Sequence, residues 1–149
     1  MYSEILVATD GAPLAQNSVQ HAADLAAALG AKLTILTVTE PFHVFSLEVE
    51  QVEDSRAAFA SHAKAHAEMV LSAAAALATT RDVQCDVVHR EAEHPYRAII
   101  EVARERRSDL IVMGSHGRGG LAAVVLGSQT LKVLTHSRTP VLVVRPAQG

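Results

Sequence analysis

"DLIVMGSHGRGGLAAVVLGSQT" fills Asp109–Thr130. Leu110 to Met113 is an uninterrupted apolar run, the mark of a strand buried on both faces. Glycines follow at 114, 117, 119, 120 and 127, and Gly127-Ser128 leads into a helical pattern that runs to about His136. A strand, a glycine-rich loop and a helix in that order are the parts from which anion sites are built.

Working outward, strand and helix signals alternate along the whole chain. "EILVAT" (Glu4–Thr9) is an apolar run stopped by the turn pair Asp10-Gly11. Pro13 suits a first helical turn, and Leu14, Ala22, Leu25, Ala26 and Leu29 form a helical face that ends at Gly30. "KLTILTVT" (Lys32–Thr39) is β-branched and stops at Glu40-Pro41; Phe42 to about Val49 reads as a loop. An alanine-rich helix is predicted from about Glu50 to Thr79, and "VQCDVVH" (Val83–His89) alternates as a third strand that places Val83, Cys85 and Val87 on one face. His94-Pro95 opens a helix with Ile99, Ile100, Val102 and Ala103 inward, and Arg104, Arg106 and Arg107 crowd its last turn, as the helix dipole favours. The strand of Asp109–Gly114 comes fourth, and "TPVLVVRP", bracketed by Pro140 and Pro146, is the fifth. Such alternation predicts an α/β fold with a parallel sheet, in one domain spanning 1–149. Ligands of these sheets bind beyond the carboxyl ends of the strands, where strand order reverses. Asp10 and Gly114 each follow a strand and are candidates for that edge.

Composition narrows the function classes. Hydrophobic residues make up 49% of the chain but aromatics only 3%, so the core is expected to be aliphatic, as in helices packed on a parallel sheet. A net charge of −3 argues against nucleic-acid binding through a basic surface. The single cysteine, Cys85, excludes an internal disulfide and favours a reducing compartment, the cytoplasm. No membrane span or leader is read in the sequence. All 16 acidic residues lie at or before Asp109, so Leu110–Gly149 is formally +4 and the remainder −7. That clearing of negative charge suits an anion bound near the glycine loop.

Three glycine loops compete for the segment. A phosphate loop of the Walker type needs Gly-Lys followed by Ser or Thr, and no lysine here follows a glycine. A dinucleotide fingerprint matches "GRGGLA" (Gly117–Ala122) literally, but it belongs after a first strand with an acidic residue about twenty positions on, and no acid follows. The third pattern is longer: Gly114, two residues, Gly117, nine residues, Gly127, Ser128. With "ILVATDG" at the start and "TPVLVVRP" at the end, it resembles the universal stress protein family in its nucleotide-binding branch, over essentially the whole chain.

The resemblance implies a Rossmann-like fold of the adenine-nucleotide α-hydrolase type, with a five-stranded parallel sheet in the order 3-2-1-4-5 and helices on both faces. It implies ATP, or AMP or ADP, as ligand, with Mg²⁺ carried on the phosphates. Asp10, with Gly11 in the same turn, matches the acidic position near the ribose; Val38 matches the position whose backbone meets adenine. Met113 and Gly114 match the apolar floor and ribose side, and His116, Gly117, Arg118, Gly127, Ser128 and Gln129 the phosphate side. The chemistry agrees. Glycine lets backbone N–H groups approach an anion without a Cβ in the way. Ser128 is placed as an N-cap, at a helix start that attracts anions. A side chain at Gly127 is expected to meet the phosphate or to block a backbone angle that only glycine reaches. One departure stands out: where the family often reads Asp-Gly-Ser, this chain has Asp10-Gly11-Ala12.

Other residues are read as structural. His62 and His66 have a spacing that can hold zinc, but Ala63 stands where a metalloprotease has Glu, and the pair is read as a solvated helix face. Cys85 is read as a buried, inert thiol, and no Gly-x-Ser-x-Gly elbow supports a nucleophile. The expected function is a cytoplasmic ATP-binding stress-response regulator or nucleotide sensor with at most slow hydrolysis. It is expected to pair as a homodimer through strand 140–145, with room for a protein partner that the sequence does not identify. The alternatives are an ATPase or nucleotidyl-transfer enzyme of the same fold, which would have only Asp10 and His116 as bases, and a nucleotide-free interaction protein.

Overall fold

Glu4–Ala8 (β1) is apolar after its first residue and Lys32–Thr39 (β2) is β-branched and aliphatic, with Leu33–Thr37 buried, as befits inner strands of the sheet. The computed structural model describes residues 1–42, 49–115 and 126–146, the side chains of 49–54 excepted. Its other elements are α1 (Pro13–Leu29), α2 (Val49–Thr79), β3 (Cys85–Glu91), α3 (Pro95–Glu105), β4 (Leu110–Gly114), α4 (Ser128–His136) and β5 (Val141–Val144). The five strands are all parallel, in the order β3-β2-β1-β4-β5, as the family resemblance implied. Strand order reverses between β1 and β4.

Alternate residues of the central strands feed two cores. Ile5, Val7, Leu33, Ile35, Leu110 and Val112 pack with Val19, Ala22, Ala26, Leu71, Ala74 and Ala78 of α1 and α2. Leu6, Leu36, Ile111 and Met113 pack with Ile99, Val102 and Val133 of α3 and α4. Two helices thus cover each face, and alanines let α1 and α2 lie close to the sheet.

Helix ends follow local chemistry. Gly30 closes α1 in the left-handed conformation (φ 67°), and the next amide, of Ala31, donates to Ala26 O at 2.9 Å, a Schellman closure. The start of α1 has Ala12 at the N-cap and, among the described residues, no side-chain cap bond, so the family's missing serine is missing from a capping position. α3 ends at Glu105, earlier than its arginines suggested. Only Arg104 lies in its last turn; Arg106 reaches Asp86 at 2.9 Å, and Arg107 adopts φ 54°.

The third strand starts later than expected but keeps its expected phase. It begins at Cys85 rather than Val83, and Val88 is its buried residue while Val87 is 48% exposed. Val83 precedes the strand, its N–H donating to Ala78 O at 3.1 Å, yet it packs in the same core as Cys85, and Cys85 and Val87 pair with Leu33 and Ile35 of that face, so Val83, Cys85 and Val87 share one face as expected. Cys85 is half-buried rather than buried. Burial, then the neighbouring Asp86 charge, push its thiol upward, which disfavours the reactive thiolate. Among the described residues, no helix is long and apolar enough to cross a membrane.

Candidate functional site

At the carboxyl ends of β1, β2 and β4, where strand order reverses, lies a cleft of about 1090 Å³. Each of these strand ends delivers residues that the sequence marks as candidates. β1 contributes Asp10, β2 contributes Val38, and β4 contributes Met113 and Gly114; Gly127, Ser128 and Gln129 enter from the start of α4. A smaller hollow of about 250 Å³, around Arg90, His94, Arg97 and Glu101, sits at the β3–α3 corner and receives nothing from β1 or β4.

The turn after β1 is tied to itself. The Ala12 N–H donates to Asp10 Oδ1 at 2.9 Å, and the Gly11 N–H to Thr9 Oγ1 at 3.2 Å. Asp10 therefore shapes the Gly11–Pro13 turn and lines the cleft at once. Gly11 lies behind the lining. Its φ of 81° favours glycine, and a Cβ there would stand 2.6 Å from Val70 Cγ2 of α2. Its role in the structure is to let α2 approach the end of β1.

The two ends of the glycine-rich segment are drawn together. Gly127 N–H donates to Ser115 O at 2.7 Å, and Thr130 Oγ1 donates to Gly114 O at 2.7 Å. The chain thus leaves β4 and re-enters at α4 at one point on the cleft rim. His116, Gly117 and Arg118 lie outside the described residues.

The start of α4 corrects two expectations. Gly127, not Ser128, is the N-cap; Ser128 is the first helical residue, and among the described residues no side chain caps the helix. Gly127 has φ −60° and ψ 153°, angles open to any residue, so the backbone there does not demand glycine. What the site keeps is the helix start itself, whose first N–H groups have no acceptor within the helix and whose dipole favours anions. Gln129 Oε1 accepts the Tyr96 N–H at 2.9 Å, so this side chain also fixes the first turn of α3. Of the cations in the acid-free tail, Lys132 stands 5.5 Å over the Tyr96 ring and is not part of the lining.

Sequence reasoning missed a whole wall. Phe59, His62, Ala63 and His66 of α2 line the cleft; His62 is exposed, as read, while His66 is half-buried. Among the described residues, no third ligand joins them in a metal cluster. The available signal was their spacing, which places all of them on one helical stripe. Glu40 and Glu93 complete the rim on the side of β2 and β3.

Comparison with known proteins places this geometry in a lineage. The model of the universal stress protein family matches residues 1–145. A universal stress protein of Mycolicibacterium smegmatis is 32% identical over 95% of this chain, which spans 45% of that relative's length. Universal stress protein YxiE of Bacillus subtilis is 31% identical, covering 97% of this chain and all of its own (100%). Among solved structures, MJ0577 of Methanocaldococcus jannaschii superposes with a TM-score of 0.84 at 24% identity, over 100% of this chain and 99% of its own. A universal stress protein solved in complex with cAMP gives a TM-score of 0.73 at 29% identity, over 98% of this chain and 99% of its own. With the strand order, the cleft at the switch point and the family match all in agreement, the chain belongs to the universal stress protein family.

Proposed function

We propose that the cleft binds an adenine nucleotide, with ATP as the working ligand and Mg²⁺ carried on its phosphates, and that the protein acts as a nucleotide-sensing regulator in the stress response of the cytoplasm. The observation that carries the reading is convergence. Asp10, Val38, Met113, Gly114, Gly127, Ser128 and Gln129 are scattered along the sequence, yet all line one cleft. Its parts suit the ligand: an apolar floor at Met113, a carboxylate at Asp10 able to accept from ribose hydroxyls, and a helix start for phosphate. The relative solved with cAMP lends support from a homologue of the same size.

Titration calorimetry with ATP, ADP, AMP and GTP tests this reading, together with chromatographic identification of any nucleotide that copurifies. ATP is expected to bind more tightly than GTP. Equal affinity removes the adenine assignment, and no binding at all favours an interaction protein. We also propose pairing of two copies through β5. This short end strand is half-buried along its length, and among the described residues it is the last strand of the sheet on its side. Light scattering should report twice the chain mass, and Val143→Lys should lower it.

A further inference from the structure

The α2 wall supplies none of the nucleotide contacts assigned so far, and its construction is unusual. α2 has 31 residues, roughly 46 Å at 1.5 Å per residue, whereas β2 beside it has 8. Among the described residues of the helix, the buried ones, Ala67, Val70, Leu71, Ala74 and Ala78, all lie in its C-terminal half. Residues 55–66 include none that is buried, so this stretch overhangs the carboxyl edge of the sheet. Its cleft-facing stripe is Phe59, His62, Ala63 and His66, and helical spacing carries the stripe on into Val70, the side chain against Gly11. None of Phe59, His62 and His66 is buried in the core. Phe59 is 40% exposed, yet it is braced: its ring centroid lies 5.5 Å from that of Phe42, and Arg56 Cζ lies 5.3 Å over the Phe42 ring.

Charge decides which end of a nucleotide meets this wall. Glu40 and Glu93 stand on the β2–β3 side of the cleft and repel phosphate. The start of α4, on the other side, belongs to the part of the chain with no acidic residue. The phosphates are therefore directed to α4 and the base to α2. We infer that Phe59, His62 and His66 form a stacking wall for the nucleobase of a purine nucleotide, an inference that rests on the nucleotide reading of the cleft. Flat π-faces stack on any base, so the wall supplies affinity for a base while leaving its identity to edge contacts elsewhere. Ala63, between the rings, leaves space for the base.

The test measures ATP and inorganic triphosphate affinity by calorimetry on the full chain. The variants are Phe59→Leu, His62→Ala, His66→Ala, His62→Phe and His66→Phe. NMR follows the adenine H2 and H8 resonances. Loss of a ring should weaken ATP by roughly fivefold to a hundredfold and leave triphosphate affinity and the ligand-free thermal midpoint unchanged. The two His→Phe variants should keep ATP affinity, since a flat ring remains. Adenine H2 and H8 should shift upfield on binding to the wild type, and less in the Leu and Ala variants. The inference is overturned if these variants bind ATP like the wild type with the same proton shifts. It is overturned equally if His→Phe lowers affinity for ATP and triphosphate alike, since the imidazoles would then serve phosphate. A wild-type protein that binds neither ligand removes the nucleotide reading itself, and the inference with it.

Discussion

The two edges of this one sheet are put to opposite uses. At the amino edge, carboxylates tie the chain down. Asp109 accepts from the Ser3 N–H (2.9 Å), the Ser3 hydroxyl (3.1 Å) and the Glu4 N–H (3.1 Å), and Asp86 sits between Lys32 Nζ and Arg106 Nη1, each at 2.9 Å. At the carboxyl edge, strand ends and helix starts diverge around a hollow, and the bonds there join loop ends on its rim. The difference follows from the fold. In a parallel α/β sheet every helix after a strand begins near the carboxyl edge, so N–H groups and positive dipole ends gather there. Substitutions at the amino edge should therefore cost stability, and those at the carboxyl edge should cost binding.

The strongest test of that separation is Gly127→Asp. The backbone at Gly127 is open to any residue, and aspartate is a favoured N-cap, so the fold should keep or gain stability. The added carboxylate would stand where phosphate is proposed to bind. ATP affinity should fall on the order of a hundredfold to a thousandfold, about 3–4 kcal/mol. Calorimetry and a thermal melt on the same sample check both halves. A folded variant with unchanged affinity would move the phosphate away from α4.

Gly11→Ala should break the comparison in an instructive way, because this carboxyl-edge glycine serves the fold. Its positive φ and the 2.6 Å approach of Val70 Cγ2 should together cost about 2–3 kcal/mol in chemical denaturation. In a double-mutant cycle with Val70→Ala, the contact part should reappear as a coupling of about 1 kcal/mol, while the cost of the backbone angle remains. An uncoupled pair would show that α2 does not press on this turn.

These two glycines also show how far the sequence could be read. Both looked like ligand glycines, since a motif gives spacing but neither φ nor neighbours; only Gly127 lines the cleft. Element order, Gly30 as a stop and the strand order were legible because they depend on local period and on the family pattern. The convergence of Asp10, Val38 and Met113 was legible for the same reason. The α2 wall was not, because its rings lie beyond the sheet and nothing in a helical period marks where a helix outruns its support. The phase of β3 was legible but its start was not, because the turn after α2, where Asp82 takes φ 57°, reaches Val83 and delays the strand to Cys85.

At the amino edge, Asp109→Ala should cost roughly 1–2 kcal/mol of stability, discounted for partial exposure, and leave ATP affinity unchanged. Burial of this carboxyl acts to raise its pKa, but the Ser3 and Glu4 donors outweigh it and hold it below the ordinary value. A depressed folded pKa means that the contribution is complete above the unfolded value of about 4 and is lost as pH falls through the folded value. Denaturation curves of wild type and variant should therefore differ at pH 7 and converge in strong acid. A gap that persists unchanged down to about pH 2, below the ordinary carboxylate range, would show that the carboxylate charge is not what ties the first residues to β4.

The smallest expected effect restores what the family pattern has and this chain lacks. Ala12 is the N-cap of α1, with φ −67° and ψ 154°, the extended geometry from which a hydroxyl can accept an N–H of the first turn. Ala15 and Gln16 direct their N–H groups to Ala12 O, at 2.9 and 3.2 Å. Among the described residues, the N-cap position thus offers the helix start a backbone carbonyl and no side-chain acceptor. Ala12→Ser should add about 0.5–1 kcal/mol, seen as a rise of a few degrees in the thermal midpoint. The measurement also sharpens the contrast between fold and site at this turn. If the serine acts only as a cap, stability rises and ATP affinity stays the same. If affinity rises as well, position 12 reaches the ligand, and the turn after β1 contributes more to the cleft than Asp10.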